Sequence, residues 1–125
     1  MWLFMGKIGQ CFQWFELPGE GHGYVRFKKG VVVCANLKPE LNPDAPQTIL
    51  VGEGPLREKW AKILCDQNRQ IPFRVYLKRD KNRWEYAGDF VVESWSESID
   101  EIQRHEVKSK RQDIVRVIYL KNIDL

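Results

Sequence analysis

The stretch that most constrains this chain is Phe73 to Trp95, which reads FRVYLKRDKNRWEYAGDFVVESW. Phe73, Val75 and Leu77 alternate with Arg74, Tyr76 and Lys78, the period of a strand with one buried face. The run Arg79-Asp80-Lys81-Asn82-Arg83 is too charged and too short for an element of its own and reads as a hairpin tip. Trp84, Tyr86, Phe90 and Val92 then resume the alternation, with Gly88 where a β-bulge or a close backbone approach favours a residue without Cβ. Two long antiparallel strands joined by a basic tip form the natural centre of a small sheet.

The remaining segments pack around that hairpin. Ile8, Cys11, Phe12, Trp14 and Phe15 form a short apolar run, read as a first strand, that ends at Leu17-Pro18-Gly19. Gly19 to Gly23 holds three glycines in five residues, either a backbone approach to a ligand or a loose turn. It leads into a strand and not a helix N-terminus, which argues against a phosphate cradle. Tyr24 to Lys28 alternates, Lys29-Gly30 turns, and Val31 to Cys34 is a continuous apolar run suited to the middle of a sheet. Lys38 to Pro46 carries three prolines in nine residues, so it is a stiffened loop. It presents Glu40, Asn42 and Asp44, which suit the edge of a nucleobase or, equally, Asx-Pro turns.

Thr48 to Val51 is a buried strand stopped by Gly52-Glu53-Gly54. Pro55 opens a helix in which Leu56, Trp60, Ile63 and Leu64 share a face through Gln67, with Trp60 read as a core anchor. Ser98 and Glu101 fit a capping box for a second helix toward Val107, followed by the basic loop Lys108 to Arg111 and a closing strand from Ile114 to Leu120. The tally is seven strands and two helices in a single domain over residues 1–125. The fold class is α+β, a small, strongly curved mixed sheet or open β-barrel with two flanking helices.

Charge is unevenly placed. Arg57 to Arg83 carries nine basic and three acidic side chains, a balance of +6, whereas Trp84 to Glu106 has a balance of −6. Such a chain either turns one basic face to a polyanion or interleaves the two signs by strand pairing. Arg26, Lys28 and Lys29 beside Tyr24 make a second basic patch, or an edge strand defended by charge. Cys11, Cys34 and Cys65 are odd in number and widely spaced, which disfavours a zinc site or disulfide framework and suits buried thiols in a reducing compartment. The apolar opening Met1 to Met5 is followed too soon by Lys7 for a signal core or a membrane span. The chain is therefore expected inside the cell, cytoplasmic if bacterial and nuclear if eukaryotic, with no membrane partner. No metalloprotease, nucleophile-elbow or Walker motif is present, and Asp89 and Glu93 lack a lysine at the spacing of a metal-dependent nuclease. A non-enzymatic chain without cofactor or metal is expected.

In order, these segments resemble the SRA (YDG) domain of the PUA-like superfamily. The most specific stretch is Trp84 to Trp95, similar to that family's Tyr-Asp-Gly strand with its hydrophobic run and terminal Trp, although Ala87 stands where the family has Asp. Val33-Cys34-Ala35 through Gly52-Glu53-Gly54 resembles the family's strand, acidic loop and glycine-turn strand, with Ala61 to Gln67 and Val117 to Leu120 at compatible places. The likeness spans most of the chain from Gly6 onward.

SRA domains bind DNA carrying a modified cytosine and flip the base into a pocket. The resemblance implies a DNA-binding module that reads a modified base of double-stranded DNA for a restriction or epigenetic system, alone or beside a nuclease domain or subunit. The implied pocket uses Glu40, Asn42, Asp44, Leu50, Val51 and Gly52. The chain departs from the family where bases are stacked: Lys38 and Leu50 stand at the positions nearest the family's aromatics, and Val51 replaces a hydroxyl, so Trp14, Tyr24 or Trp84 would furnish the pocket instead. Phosphates would meet Arg26, Lys28, Lys29, Arg57, Lys59, Lys78, Arg79, Lys81 and Arg83. The alternatives are a PUA-like RNA-binding module of the EVE or ASCH kind, and a protein-interaction domain.

Overall fold

A computed structural model describes residues 7–17, 23–26, 31–67 and 71–123. Among them the order is β1 (Cys11–Phe12), a 3-10 turn (Trp14–Glu16), β2 (Tyr24–Arg26), β3 (Val32–Leu37), β4 (Thr48–Gly52), α1 (Pro55–Asp66), β5 (Phe73–Asp80), β6 (Arg83–Ser96), α2 (Ile99–Ser109) and β7 (Ile114–Asn122). The protein is α+β, built on a curled, mixed, half-barrel sheet in the order β2-β3-β5-β6-β7-β4, with β1 added to β6. β3 and β5 run parallel, and the other described pairings are antiparallel. No described helix is long and apolar enough to cross a membrane.

The β5–β6 hairpin is the spine of this sheet, and its strands reach further than the charge pattern suggested. Asp80 pairs with Arg83, so the turn is only Lys81-Asn82. At Gly88 the register slips: Val75 faces Gly88 while Tyr76 faces Tyr86, leaving Ala87 unmatched. Gly88 sits at φ +121°, where a side chain would be strained. This is the bulge expected from the sequence, with one consequence that simple alternation misses. An inserted residue reverses the faces beyond it. Trp84 and Tyr86 therefore pack with Phe12, Leu17, Val33, Cys34 and Tyr76 on one face. Phe90 and Val92 instead enter the main core on the other, with Val32, Leu37, Ile49, Val51, Phe73, Val75, Leu77 and Ile118.

The helices close the sheet. Gly54 caps α1, its N–H donating to the Glu58 carboxylate at 2.9 Å, and Pro55 occupies the first turn. The buried residues of α1 are Ala61 and Leu64; Leu56 is exposed and Trp60 half-buried, so the core-facing stripe is rotated from the Leu56-Trp60 face expected. α2 begins after Ser98, but the capping box does not form, because Glu101 accepts from the Tyr119 hydroxyl at 2.6 Å instead. It also runs on through Ser109 before Lys110 ends it in the left-handed region, so half of the expected basic loop is helix. The first strand is likewise shorter than expected, because Trp14 and Phe15 turn into the 3-10 segment.

Candidate nucleic-acid interface

The sheet curls without pairing its terminal strands β2 and β4 to each other. A cavity of about 540 Å³ lies in that region. Gly23 and Tyr24 of the β2 side, and Asn36, Leu37 and Lys38 from the end of β3, form part of its wall. Leu41 and Asn42 of the proline-rich loop and Ile49 to Gly52 of β4 form another. Arg57 of α1, Trp84 of β6, and Arg111 and Asp113 from the approach to β7 complete it.

The proline-rich loop is fastened to β4 by Asn42. Its buried side chain accepts the Leu50 N–H at 2.9 Å and donates to the Lys38 carbonyl at 3.2 Å. The amide satisfies the buried Leu50 N–H, which would otherwise be stranded, while the Lys38 carbonyl also accepts from the backbone N–H groups of Leu41 and Asn42. Arg111 fastens the same wall from below, donating to the carbonyls of Leu41 at 2.8 Å and Leu50 at 3.2 Å. Its fork also engages Asp113 at 2.8 and 2.9 Å, and that partner holds the Asp113 carboxyl below the usual carboxylate range. Burial raises the Tyr24 phenol above its ordinary range, with the thiol of Cys65 adding to the rise and Arg111 and Arg57 opposing it. Tyr24 is thus a neutral aromatic wall at physiological pH.

Of the nine residues assigned from sequence to a base pocket, Tyr24, Asn42, Leu50, Val51, Gly52 and Trp84 line this cavity. Glu40, Asp44 and Trp14 do not. Asp44 is drawn away by Lys108, whose Nζ lies 2.8 Å from it, and Glu40 is exposed on the loop. Trp14 is exposed at the 3-10 turn, edge-on to Phe15, with its backbone N–H on Asn82 at 2.7 Å. Trp84 is present but differs from a stacking platform: it is 4% exposed, pairs across from Phe12, and has Lys78 Nζ 5.7 Å from its ring centroid.

The proposed phosphate contacts separate similarly. Arg57 lines the cavity. Lys59 is exposed on α1 with its Nζ 5.2 Å from the Trp60 ring, and Lys81 and Arg83 are exposed at the hairpin tip. Arg79 is bound to Glu85 at 2.7 Å, and Arg74 pairs in register with Asp89, 4.0 Å away. The basic β5 and the acidic β6 are neighbours, so part of the charge polarisation is neutralised in pairs and does not form a single face. Lys28, Lys29 and the side chain of Arg26 lie outside the described residues.

Sequence reasoning missed Arg111 and Asp113. Arg111 was legible as the end of a basic run, but its partners at Leu41 and Leu50 are distant in the chain, and Asp113 carried no signal. Among the described residues no group of three or more His, Cys, Asp or Glu side chains is placed to hold a metal ion. No protein-family model, curated protein or solved structure matches the chain.

Proposed function

We propose that this chain is a non-catalytic reader of double-stranded DNA that accepts one modified base into the cavity by β2 and β4, as an SRA-like, PUA-type domain would. The observation that carries the reading is the convergence of Tyr24, Asn42, Leu50, Val51, Gly52 and Trp84 on one cavity. Its volume of about 540 Å³ lies in the range of small-ligand sites. Apolar walls from Leu37, Ile49 and Val51 offer contact to a flat ring, while Arg57 and Lys38 supply positive charge for the phosphates beside it. Extruding a base costs a few kcal/mol, least where pairing is already weakened, and contacts within the cavity offset that cost. A nuclease domain or subunit that acts on the marked DNA is the partner such a reader serves.

The test is a competition panel of duplexes that differ only in one base modification, set against unmodified duplex and structured RNA at several salt concentrations. The reading expects one modified duplex to bind about tenfold or more tightly than its unmodified twin. Preference for RNA would assign the cavity to an RNA-binding module instead. Affinity for every nucleic acid weaker than about 100 μM in moderate salt would leave a protein-interaction domain.

A further inference from the structure

The 3-10 turn displays two aromatic side chains beside the hairpin tip. Phe12 and Leu17, at either end of that segment, are buried in one cluster with Tyr76 and Trp84, whereas Trp14 is 45% and Phe15 59% exposed. Three hydrogen bonds fix the turn: Gln13 N–H to Glu16 Oε1 at 2.9 Å, Glu16 N–H to the Gln13 carbonyl at 2.9 Å, and Trp14 N–H to Asn82 Oδ1 at 2.7 Å. The last of them sets the segment against the tip of the β5–β6 hairpin. The two rings meet edge-on, with centroids 6.0 Å apart and planes at 86°, a contact that covers at most one ring face of the four. A lone exposed apolar residue is ordinary, but two adjacent aromatics held outside a core that their own segment reaches mark a contact surface.

Lys81 and Arg83 stand on either side of Asn82, both exposed and neither in an ion pair among the described residues. The acids of the same end are already engaged: Asp80 Oδ1 accepts the Lys81 N–H at 2.8 Å, Glu16 accepts the Gln13 N–H, and Glu85 holds Arg79 at 2.7 Å. Open aromatic faces beside cations are the two parts of a single-strand site, because any base stacks on a ring and the phosphates between bases meet Lys and Arg. From this juxtaposition we infer that the hairpin tip, with Trp14, Phe15, Lys81 and Arg83, binds an unpaired stretch of nucleic acid. Trp84 follows Arg83 directly, faces Phe12 in register and lines the cavity, so the tip continues the candidate interface. The inference rests on the nucleic-acid reading for its partner, and narrows that partner to DNA in which the accepted base lies beside unpaired nucleotides.

The experiment titrates the full chain into a fluorescein-labelled oligo-dT of about twelve nucleotides and follows anisotropy at several salt concentrations. Trp14→Ala and Phe15→Ala are each expected to weaken binding about tenfold, since each removes a stacking ring. Lys81→Gln combined with Arg83→Gln is expected to reduce the slope of log affinity against log salt by about 1.4, the share of two single-strand phosphates. All four side chains are exposed, so melting temperatures are expected to stay at the parent value. Should one aromatic variant lose stability, the other and the double charge variant decide. Oligo-dT that fails to bind, or binds all variants equally, overturns the inference; selectivity for one modified duplex in the panel above would then leave the base-reading cavity standing. Conversely, ring-dependent binding of oligo-dT without any selectivity among the duplexes keeps the tip and removes the cavity reading. Trp14-dependent binding to phosphatidylserine vesicles, or Trp14-dependent self-association, in a protein that ignores oligo-dT would give the patch to a lipid surface or a second copy and also overturn the inference.

Discussion

Arg111 lays its guanidinium on the carboxylate of Asp113, Nε to Oδ1 at 2.8 Å and Nη2 to Oδ2 at 2.9 Å, directly over Gly52. A Cβ at Gly52 would stand 2.5 Å from Asp113 Oδ2 and 2.7 Å from Arg111 Nη2. Since the same guanidinium binds Leu41 and Leu50, this one contact sets the position of the loop, of β4 and of the approach to β7 on the cavity wall.

Gly52→Ala therefore pushes the ion pair off its seat. Overpacking of this kind is expected to lower stability by about 1–3 kcal/mol, read as a drop in melting temperature. An unchanged melting temperature would mean that the pair has room to move and does not fix the wall.

Two groups make stability depend on pH, in separate windows. The Asp113 carboxyl is depressed by Arg111, so its contribution is present above the ordinary carboxylate value near 3.9 and is lost as pH falls through the folded value. Its side chain is 37% exposed, so solvent screening keeps that contribution small. His105 is lowered by burial, then by Arg104, with Lys108 adding to this and Asp44 and Glu101 opposing it. The folded state favours its neutral form, so its contribution is complete above about 6.5 and declines as pH falls below that value. The Tyr119 hydroxyl donates its hydrogen bond to Glu101, which leaves its oxygen to accept from His105 Nε2 at 3.2 Å. Chemical denaturation across pH should show a flatter profile just below pH 6.5 in His105→Gln, and a flatter acid limb below about pH 4 in Asp113→Asn. Profiles that superimpose on the parent would contradict both assignments.

The hairpin, the bulge at Gly88 and the strand-loop-strand order were legible because each is written locally, as pleat alternation or a glycine at a fixed offset. The swap of faces beyond the bulge was not, because alternation read across Ala87 keeps Trp84 and Phe90 on one side when the structure parts them. Leu56 and Ala61 both fit a helical stripe, and only the sheet beneath decides which is covered. Asp44 was read as a base-facing acid, yet its lysine comes from the far end of the chain. Less than half of the cavity lining lies on β4 and the loop before it, the part to which the sequence pointed; the ion pair that braces it lies beyond the reach of any local pattern.

Asn42→Ala removes the acceptor of a buried Leu50 N–H and the donor to Lys38. The expected cost is about 1–3 kcal/mol in denaturant unfolding, together with weaker DNA binding as the loop leaves the cavity wall. A variant that loses neither stability nor affinity would show that Asn42 does not brace the site.

Arg57 and Arg79 separate a phosphate contact from a structural pair. Arg57→Ala should weaken DNA binding across sequences and reduce the slope of log affinity against log salt by about one. Arg79→Ala, whose guanidinium already serves Glu85, should change that slope little. Equal effects of the two would place the DNA on the outer hairpin and not at the cavity.

The most direct test places 2-aminopurine beside the modified base of the best duplex and follows its fluorescence during titration with the protein. Entry of the base into the cavity unstacks its neighbour, so emission should rise to saturation with the modified duplex and stay flat with the unmodified one. Full binding of the modified duplex with no rise in emission would mean that the base stays in the helix, and the cavity is not its destination.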